Sequence, residues 1–326
     1  MSSPDTRSFL PPYLVDRRLL NAWHEAGHGH LRPTRIEVLK RKGKSTVYRL
    51  HGTDGGRSTL IAKRCRAATA GLERLIHEEV LARLPVRTLR CHGCSPEPDG
   101  EHAWLFLEDA GSDLYSPMNA SDRALAGRWL GMTHALSLTD AERALLPDRG
   151  PSYYLSLLRL SRASLLARAS SPDLNRAEAR LLKRLVLDLD RAEARWPLVE
   201  AIARDWPGAL VHGDFAAKNL RVRPAATPVL LVLDWEMAGW GLPAADLAQS
   251  LGKCASPDLE NYRSSLGRAT AAPGPGELRR LAEVGALLRL VHKISWEIQS
   301  MEDALCVLAL YEPQMRGAVH ALQAAA

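Results

Sequence analysis

The spacing of hydrophobic residues changes near residue 110 of the chain. Before that point, short runs of strand-forming residues predict three strands, at 35–40, 46–50 and 59–63. From about Ser121 onward, apolar residues recur at three- and four-residue intervals and predict helices. The predicted helices cover residues 124–138, 152–169, 175–204 and 277–311. A strand-rich first part followed by a mainly helical second part indicates an α+β protein.

The first part also contains one predicted helix and one further strand. Residues 71–84 carry apolar side chains at helical spacing. The run from Trp104 to Leu107 predicts a strand that ends abruptly at the acidic pair Glu108 and Asp109. Together with the three earlier strands, these elements are typical of a small β-rich lobe.

Composition narrows the class of protein. The chain has 326 residues, of which 46% are hydrophobic, and this is ample for a folded core. The net charge is +6, but the arginines are scattered beside acids along the predicted helices, and no basic run alternates with aromatic residues. We therefore expect no nucleic-acid partner, and we interpret the charge as solvated helix faces.

Neither a membrane partner nor a disulfide framework is expected. No stretch approaches about eighteen consecutive apolar residues, and residues 1–20 lack the uninterrupted apolar core of a signal peptide. The five cysteines do not form a disulfide framework in a chain of this size. These features predict a soluble cytoplasmic protein.

The most informative polar residues lie in the segment LVHGDFAAKNLRVRPAATPVLLVLDWE, residues 210–236. Asp214 lies five residues before Asn219, and Asp234 follows fifteen residues later at the end of an apolar run. Phosphoryl transfer requires a carboxylate near the attacking hydroxyl and oxygen ligands that fix Mg²⁺ on the phosphates. An isolated Asp or Asn in such a loop usually forms a turn or a cap. The joint order and spacing favour catalytic roles for all three residues, with Asn219 and Asp234 as the Mg²⁺ ligands.

This segment resembles the H-R-D-x-x-x-x-N and D-F-G elements of protein kinases, with Gly213 and Trp235-Glu236 in variant places. HGD…N followed by DWE is still more similar to the aminoglycoside phosphotransferase and choline kinase family. The resemblance implies a two-lobed protein-kinase-like fold, with a small β-rich lobe and a larger, mainly helical lobe. Residues 1–110 would form the nucleotide-binding lobe, and residues 111–326 the lobe with the catalytic loop and the acceptor pocket. ATP and Mg²⁺ are the implied cofactors, and GTP is not excluded.

Lys63 closes the third predicted strand, where the resemblance places the lysine that reaches the α- and β-phosphates. The alternative interpretation of Lys63 is a surface lysine at a strand end. A helix glutamate usually holds such a lysine, and Glu73, Glu78 and Glu79 compete for this role. Relatives often show E-x-x-x-Y here, and Glu73-x-x-x-His77 fits that pattern best, so we select Glu73. A solvated glutamate face is the alternative.

The string Gly43-Lys44-Ser45-Thr46 invites interpretation as a P-loop. That motif needs a glycine five residues before Gly43, where this chain has Val38, and no helix clearly follows. We therefore reject the P-loop. The glycine-rich loop of protein kinases is also missing, which leaves the backbone amides of Ser45 and Thr46 as candidates to face the phosphates.

In the resembled family, the segment Leu107-Glu108-Asp109 joins the two lobes, and its backbone groups hydrogen-bond the purine edge. Glu108 is accordingly a candidate nucleotide-binding residue. An ordinary strand exit is the alternative.

Cys91-His92-Gly93-Cys94 has the spacing of half a zinc site, with His102 nearby. A structural zinc needs four convergent ligands, and the chain has no second C-x-x-C. We interpret the two cysteines as a reduced pair in a loop.

The acceptor is expected to be a small hydroxylated molecule rather than a protein. Only the nine residues 237–245 separate Glu236 from Asp246, too few for an activation loop and a peptide platform. Asp246-Leu247-Ala248 matches the small-molecule family, in which this Asp braces the catalytic loop. His212 is expected to brace the same loop, and Lys218 to offset charge on the transferring phosphoryl group.

The acceptor itself is left open between an antibiotic and an amino-alcohol or sugar metabolite. Residues 296–303 mix acids with Trp296 and would suit a cation, but a solvated helix face explains them equally well. A basic protein is an unusual host for a polycation, so a less charged hydroxylated antibiotic or metabolite stands beside an amino-sugar or amino-alcohol, and the sequence does not choose between them. The alternative function is a catalytically inactive, kinase-like nucleotide-binding protein.

Overall fold

The computed structural model describes residues 9–10, 17–28, 32–42, 45–52, 58–249, 254–267, 273–300 and 304–324. The chain divides into two compact units. Unit 1 comprises Met1–Asp113 and Arg221–Glu236, and unit 2 comprises Leu114–Leu220 and Met237–Ala326. The sequence division at residue 110 lies close to the first of these boundaries, but it leaves Arg221–Glu236 with the second part. Two segments named in the sequence analysis, Gly43-Lys44 of the rejected P-loop string and residues 301–303, lie outside the described residues.

Unit 1 contains a six-stranded sheet with the order β1-β2-β3-β4-β6-β5. Every neighbouring pair of strands is antiparallel. The strands are β1 Phe9–Leu10, β2 Arg35–Lys42, β3 Ser45–His51, β4 Thr59–Arg66, β5 Cys91–Pro96 and β6 His102–Glu108. The three strands predicted at 35–40, 46–50 and 59–63 are confirmed as β2, β3 and β4, and the run before Glu108 is confirmed as β6.

The two faces of β4 pack into different cores. Leu60 and Ala62 join a cluster with Tyr48 and Phe106. Because successive side chains of a strand point to opposite faces, Lys63 lies on the other face, with Ile61 and Cys65. That second cluster includes Ala70 of the following helix. The strand period therefore directs Lys63 toward the helix that carries the candidate glutamates.

This helix begins earlier than its apolar spacing predicts. Helix α2 spans Ala67–Leu75, and a π-helical turn Ile76–Val80 and a 3₁₀ turn Leu81–Arg83 follow it. Ala70, Glu73, Ile76 and Val80 are buried along it. Unit 1 also contains α1 Arg17–Trp23, followed by a π-helical turn, His24–His28.

The segment around Asp234 joins unit 1 through its own small sheet. Strands β9 Leu220–Arg223 and β10 Val229–Val232 pair with each other. Leu231 is fully buried in a cluster with Leu89 and Ala110. Because β10 is anchored in this core, the residue that follows it, Leu233, and then Asp234 are positioned by unit 1.

Unit 2 is mainly helical. Its helices are α3 Ala120–His134, α4 Asp140–Ala144, α5 Pro151–Ala169, α6 Arg176–Ala194, α7 Trp196–Asp205, α8 Leu259–Ser265, α9 Pro275–Ser300 and α10 Ala304–Ala324. Its three-stranded sheet has the order β7-β11-β8, from β7 Asp148–Arg149, β8 Ala209–Val211 and β11 Gly239–Gly241. None of the described helices is both long and apolar enough to span a membrane. The antiparallel sheet of one unit and the helices of the other confirm the predicted α+β class.

Two of the predicted helices are wrong as single elements. The helix predicted over 175–204 is two helices, because Pro197 lies in the first turn of α7, where its missing N–H is tolerated. The helix predicted over 277–311 is also two, and α10 packs against α9. Apolar residues keep their helical spacing on both sides of the boundary between two such helices, so the spacing alone does not reveal the boundary.

Candidate active site

In unit 1, Lys63 is held between two carboxylates. Its Nζ lies 2.7 Å from Glu73 Oε1 and 2.5 Å from Asp234 Oδ1. Glu78 instead lies at the surface, 3.9 Å from Arg74. Of the candidate helix glutamates, the structure thus places Glu73 against Lys63.

Burial by itself shifts the pKa values of Lys63 and Glu73 in opposite directions. It would by itself lower the pKa of Lys63, but the negative charges of Glu73 and Asp234 outweigh it and raise that pKa. Glu73 is fully buried, and burial raises its pKa to about 7 although Lys63 opposes the shift. Glu73 Oε2 has no hydrogen-bond partner in the described part of the chain. Lys63 therefore stays charged, while Glu73 is a carboxylate whose ionised form is stabilised mainly by Lys63.

The backbone at Asp234 is left-handed, with φ 65°. Asp is among the few residues other than Gly that adopt this conformation at moderate cost, and strained positions often occur at functional sites. The next residue, Trp235, is fully buried and packs edge-on against His77 at a ring distance of 6.5 Å. The buried indole anchors the turn that presents the Asp234 carboxylate to Lys63.

In unit 2, Asp214 and Asn219 lie together in the loop after β8. Asn219 Nδ2 donates to the backbone oxygen of Asp214 at 2.9 Å and to its Oδ2 at 3.1 Å. Lys218 Nζ lies 2.8 Å from the same Oδ2. A 3₁₀ turn, Ala217–Asn219, produces this arrangement, so residues five apart in sequence share one carboxylate.

Arg289 is a site residue that the sequence reasoning missed. Arg289 lies in α9 and is 5% exposed, and its Nη2 donates to Asp214 Oδ1 at 3.1 Å. Burial would raise the pKa of Asp214, but Arg289 and Lys218 outweigh it and hold that pKa below its ordinary value. The available signal was an arginine inside the apolar run Ala286–Val291, because a charge on a buried helix face needs a partner.

Asp246 fixes the backbone of the same loop. Its Oδ2 accepts from the His212 amide at 2.6 Å and its Oδ1 from the Gly213 amide at 2.9 Å. His134 Nε2 lies 3.4 Å from Oδ2. The bracing role that the family resemblance implied for this Asp is confirmed. His212 is buried, and its Nδ1 accepts from the Asp214 amide at 3.3 Å, as a bracing residue should.

Gly213 explains why this loop reads H-G-D. Its φ is +75°, and a Cβ at this position would lie 2.4 Å from the backbone oxygen of Met237.

We expect Gly213→Ala to lower the free energy of unfolding by about 2 kcal/mol or more, from left-handed strain plus overpacking. Chemical denaturation measures this, and Gly317→Ala is the control, because Gly317 lies in α10 with nothing within 4 Å of an added Cβ. Equal effects of the two substitutions would contradict this account.

The remaining predicted nucleotide-binding residues lie on the sheet of unit 1. Val47 pairs with Lys63 across β3 and β4, so Ser45 and Thr46 directly precede the position opposite Lys63. Glu108 ends β6, and its Oε1 accepts from Arg87 and from Arg223, each at 2.6 Å. Its backbone amide donates to the Arg90 oxygen at 2.8 Å. The Glu108 carboxylate is therefore occupied by arginines within unit 1.

The C-x-x-C cysteines are free thiols. Their predicted position in a loop is wrong, because both lie in strand β5. Burial raises the pKa of Cys91 to about 12 and also raises that of Cys94. His102 hydrogen-bonds Asp99 at 2.9 Å. Protonated, partly buried thiols of this kind are poor nucleophiles and poor metal ligands.

A sheet-bearing unit with a Lys–Glu–Asp cluster, and a helical unit with an H-G-D…N loop, define a kinase-like phosphotransferase. The chain belongs to the phosphotransferase enzyme family (APH), whose sequence model matches residues 36–318. This membership confirms the predicted family and the enzyme class, a small-molecule phosphotransferase.

Solved structures show the same fold. The GDP complex of aminoglycoside 2'-phosphotransferase-IIIa gives a TM-score of 0.64 at 12% identity, over 91% of this chain and 99% of that one. Spectinomycin phosphotransferase with ADP and spectinomycin gives 0.61 at 8%, over 95% and 99%. An ethanolamine kinase from Plasmodium vivax gives 0.58 at 14%, over 89% and 84%. Identities this low establish the fold alone.

Curated relatives match over short segments. Acyl-CoA dehydrogenase family member 11 of Gallus gallus is 44% identical over 55 residues, which are 17% of this chain and 7% of that protein. Family member 10 of Mus musculus is 54% identical over 41 residues, 13% and 4% respectively. The aligned segments are thus a small fraction of the length of these relatives.

Proposed function

We propose that this protein transfers the γ-phosphate of ATP to a hydroxyl group of a small molecule, an antibiotic or a metabolite, in the cytoplasm. One observation carries the proposal. The carboxylate of Asp214 is kept ionised by Arg289 and Lys218 on a loop whose backbone Asp246 fixes. A fixed, ionised carboxylate is suited to accept the hydrogen bond of an attacking hydroxyl.

The lowered pKa of Asp214 specifies its role further. A carboxylate with a depressed pKa is a weak base, so its contribution is to orient the hydroxyl for in-line attack more than to remove its proton early. Positioning is the main source of rate in phosphoryl transfer. Lys218 is exposed and contacts the same carboxylate, where its charge would offset that of the transferring group.

For the nucleotide, the proposal assigns the α- and β-phosphates to Lys63. Glu73 and Asp234 hold its Nζ in place, and the neighbouring Ser45 and Thr46 would add backbone amides. Known relatives of this fold carry ADP or GDP, which supports a nucleotide here. We propose ATP, with GTP as the competitor to test.

The donor set fits Mg²⁺, which takes oxygen ligands. Asn219 directs both hydrogen bonds of its amide nitrogen to Asp214, which leaves its carbonyl oxygen as the ligand atom. Asp234 is a half-buried carboxylate. We propose these two residues as the ligands. When bound, Mg²⁺ supplies neutralisation of charge on the phosphates.

The test of the function is acceptor-dependent release of ADP across a panel of hydroxylated antibiotics and metabolites, with the product identified by mass. The proposal expects a phosphorylated product from at least one class of acceptor. Nucleotide binding without any acceptor product across a broad panel would favour the inactive, nucleotide-binding alternative.

Lys63→Ala is expected to weaken ATP binding by about 10-fold or more and to slow transfer, because a charge-assisted hydrogen bond to phosphate is lost. Glu73→Ala should produce a milder form of the same defect, since Lys63 keeps Asp234 as a partner. Calorimetric titration with ATP and steady-state kinetics measure both effects.

Two matched controls accompany this experiment. Lys40→Ala removes an exposed lysine from β2 of the same sheet, and Glu79→Ala removes an exposed glutamate from the turn after α2. Both should be silent. A damaging Glu79→Ala combined with a silent Glu73→Ala would refute the assignment of Glu73.

A further inference from the structure

Positive charge accumulates around Asp214 in unit 2. Arg289 and Lys218 contact its carboxylate at 3.1 and 2.8 Å. His292 and Lys293 follow Arg289 by three and four residues, which places them on the same face of α9. The charge of Asp214 acts on both of them. This face of α9 therefore borders the carboxylate proposed to orient the acceptor.

Lys293 is the cation of this face that forms no salt bridge with a described residue, although the charge of Asp214 acts on it at longer range. It is partly buried, and in the part of the chain that the structure describes no carboxylate lies within salt-bridge distance of it. Its ammonium lies over the ring of Tyr311, at 5.5 Å from the centroid. Burial lowers the pKa of Lys293, and the positive charge of Arg289 lowers it further. A partly buried ammonium without a paired anion is costly, and an anionic ligand would remove that cost.

The other charged groups near Lys293 do not supply a salt-bridge partner for its ammonium. Asp214 is already shared by Arg289 and Lys218, and burial lowers the pKa of His292 to about 4, so its imidazole is neutral. The Nε of Arg289 is buried and has no hydrogen-bond partner among the described residues. Two polar groups of α9, the Lys293 ammonium and the Arg289 Nε, are therefore not satisfied within the described chain.

We propose that the hydroxylated acceptor carries a carboxylate. This carboxylate pairs with Lys293 while the hydroxyl group of the acceptor meets Asp214. The proposal rests on the proposed function for turnover. A single negative charge on the acceptor matches the one ammonium of this helix face that has no salt bridge among the described residues. A cationic acceptor would meet Lys293, Arg289 and Lys218 with like charge, and such contacts discriminate strongly between ligands.

Of the two sequence interpretations of residues 296–303, this proposal favours the solvated helix face over a face suited to a cation. Trp296 is exposed, and residues 301–303 lie outside the described part of the chain. The charges that act on Asp214 come from Arg289 and Lys218, which are basic.

The test compares acceptors matched in carbon frame and different in charge. One set is glucuronate, glucose and glucosamine, and the other is lactate, lactamide and 1-amino-2-propanol. Binding is measured by calorimetry on the full chain, and turnover by ADP release and product mass. We expect the acid of a set to bind about 10-fold or more tightly than the neutral compound, with the amine weakest.

Variants locate the anion site. Lys293→Met keeps the apolar stem, and it should abolish the preference for the acid, as should Lys293→Gln. Lys293→Glu should shift the preference toward the amine. Lys183→Met is the control, because it removes an exposed lysine from α6, and it should keep the wild-type order.

Failure of this inference is distinguishable from failure of the proposed function. Preferential binding of the acid through Lys293, without any phosphorylated product, would overturn the function and leave the anion site standing. Phosphorylation of the amines in preference to the acids would overturn the anion site and support the function. Wild-type protein that shows no preference for the acid in either set also overturns it.

Discussion

Asp214→Asn is expected to lower kcat by about 10² or more while nucleotide affinity changes little. The substitution keeps the size of the side chain but removes the charge that would orient the acceptor hydroxyl. The three side chains that contact the Asp214 carboxylate, from Lys218, Asn219 and Arg289, are all donors. The amide nitrogen of an asparagine would face one of these donors, so the orientation of the side chain would be lost as well.

Two measurements separate this result from general damage. Calorimetry with ATP should give a dissociation constant close to that of the wild-type protein, and Asp205→Asn should keep normal kcat, because Asp205 is an exposed carboxylate at the end of α7 in the same unit. Near-normal turnover of Asp214→Asn with the true acceptor would remove Asp214 from the mechanism.

Asp234→Ala is expected to abolish turnover and to leave the fold intact. The substitution removes an oxygen ligand proposed for Mg²⁺ and also a carboxylate that holds Lys63 at 2.5 Å. Its effect on nucleotide binding should depend on the metal. The wild-type protein should bind ATP more tightly with Mg²⁺ than with a chelator present, and the variant should lose that difference.

A second variant is needed because the backbone at Asp234 is left-handed. Alanine is disfavoured at φ 65°, whereas asparagine tolerates it. Asp234→Asn should therefore match the wild-type protein in thermal unfolding and still lose most of the turnover. Metal-dependent ATP binding that is unchanged in both variants would show that Asp234 is not a ligand.

Several parts of the site could be predicted because they are local in sequence. Asp214 and Asn219 belong to one short loop, and the structure brings them together there. The period of two in β4 directs Lys63 to the face that α2 covers. The E-x-x-x-Y pattern of relatives favoured Glu73 over Glu78 and Glu79, and the salt bridge to Lys63 is formed by Glu73.

Other parts depend on contacts between distant segments. Arg289 reaches Asp214 across 75 positions of the chain, and no local pattern encodes such a pairing. Arg221–Glu236 packs with unit 1 although it directly follows the H-G-D…N loop of unit 2. The helix predicted over 277–311 is two helices, because packing of α10 on α9 is a tertiary event.

The sequence by itself determined the family, the α+β class and the residues of the motif proposed to transfer the phosphoryl group, because motif spacing and side-chain period are properties of neighbouring positions. Only the tertiary structure decided which charges meet. It placed Arg289 and Lys218 on Asp214, and among the described residues it left Lys293 over the ring of Tyr311 without a salt bridge. Electrostatic energies depend on distance and burial, and both are set by how remote segments pack.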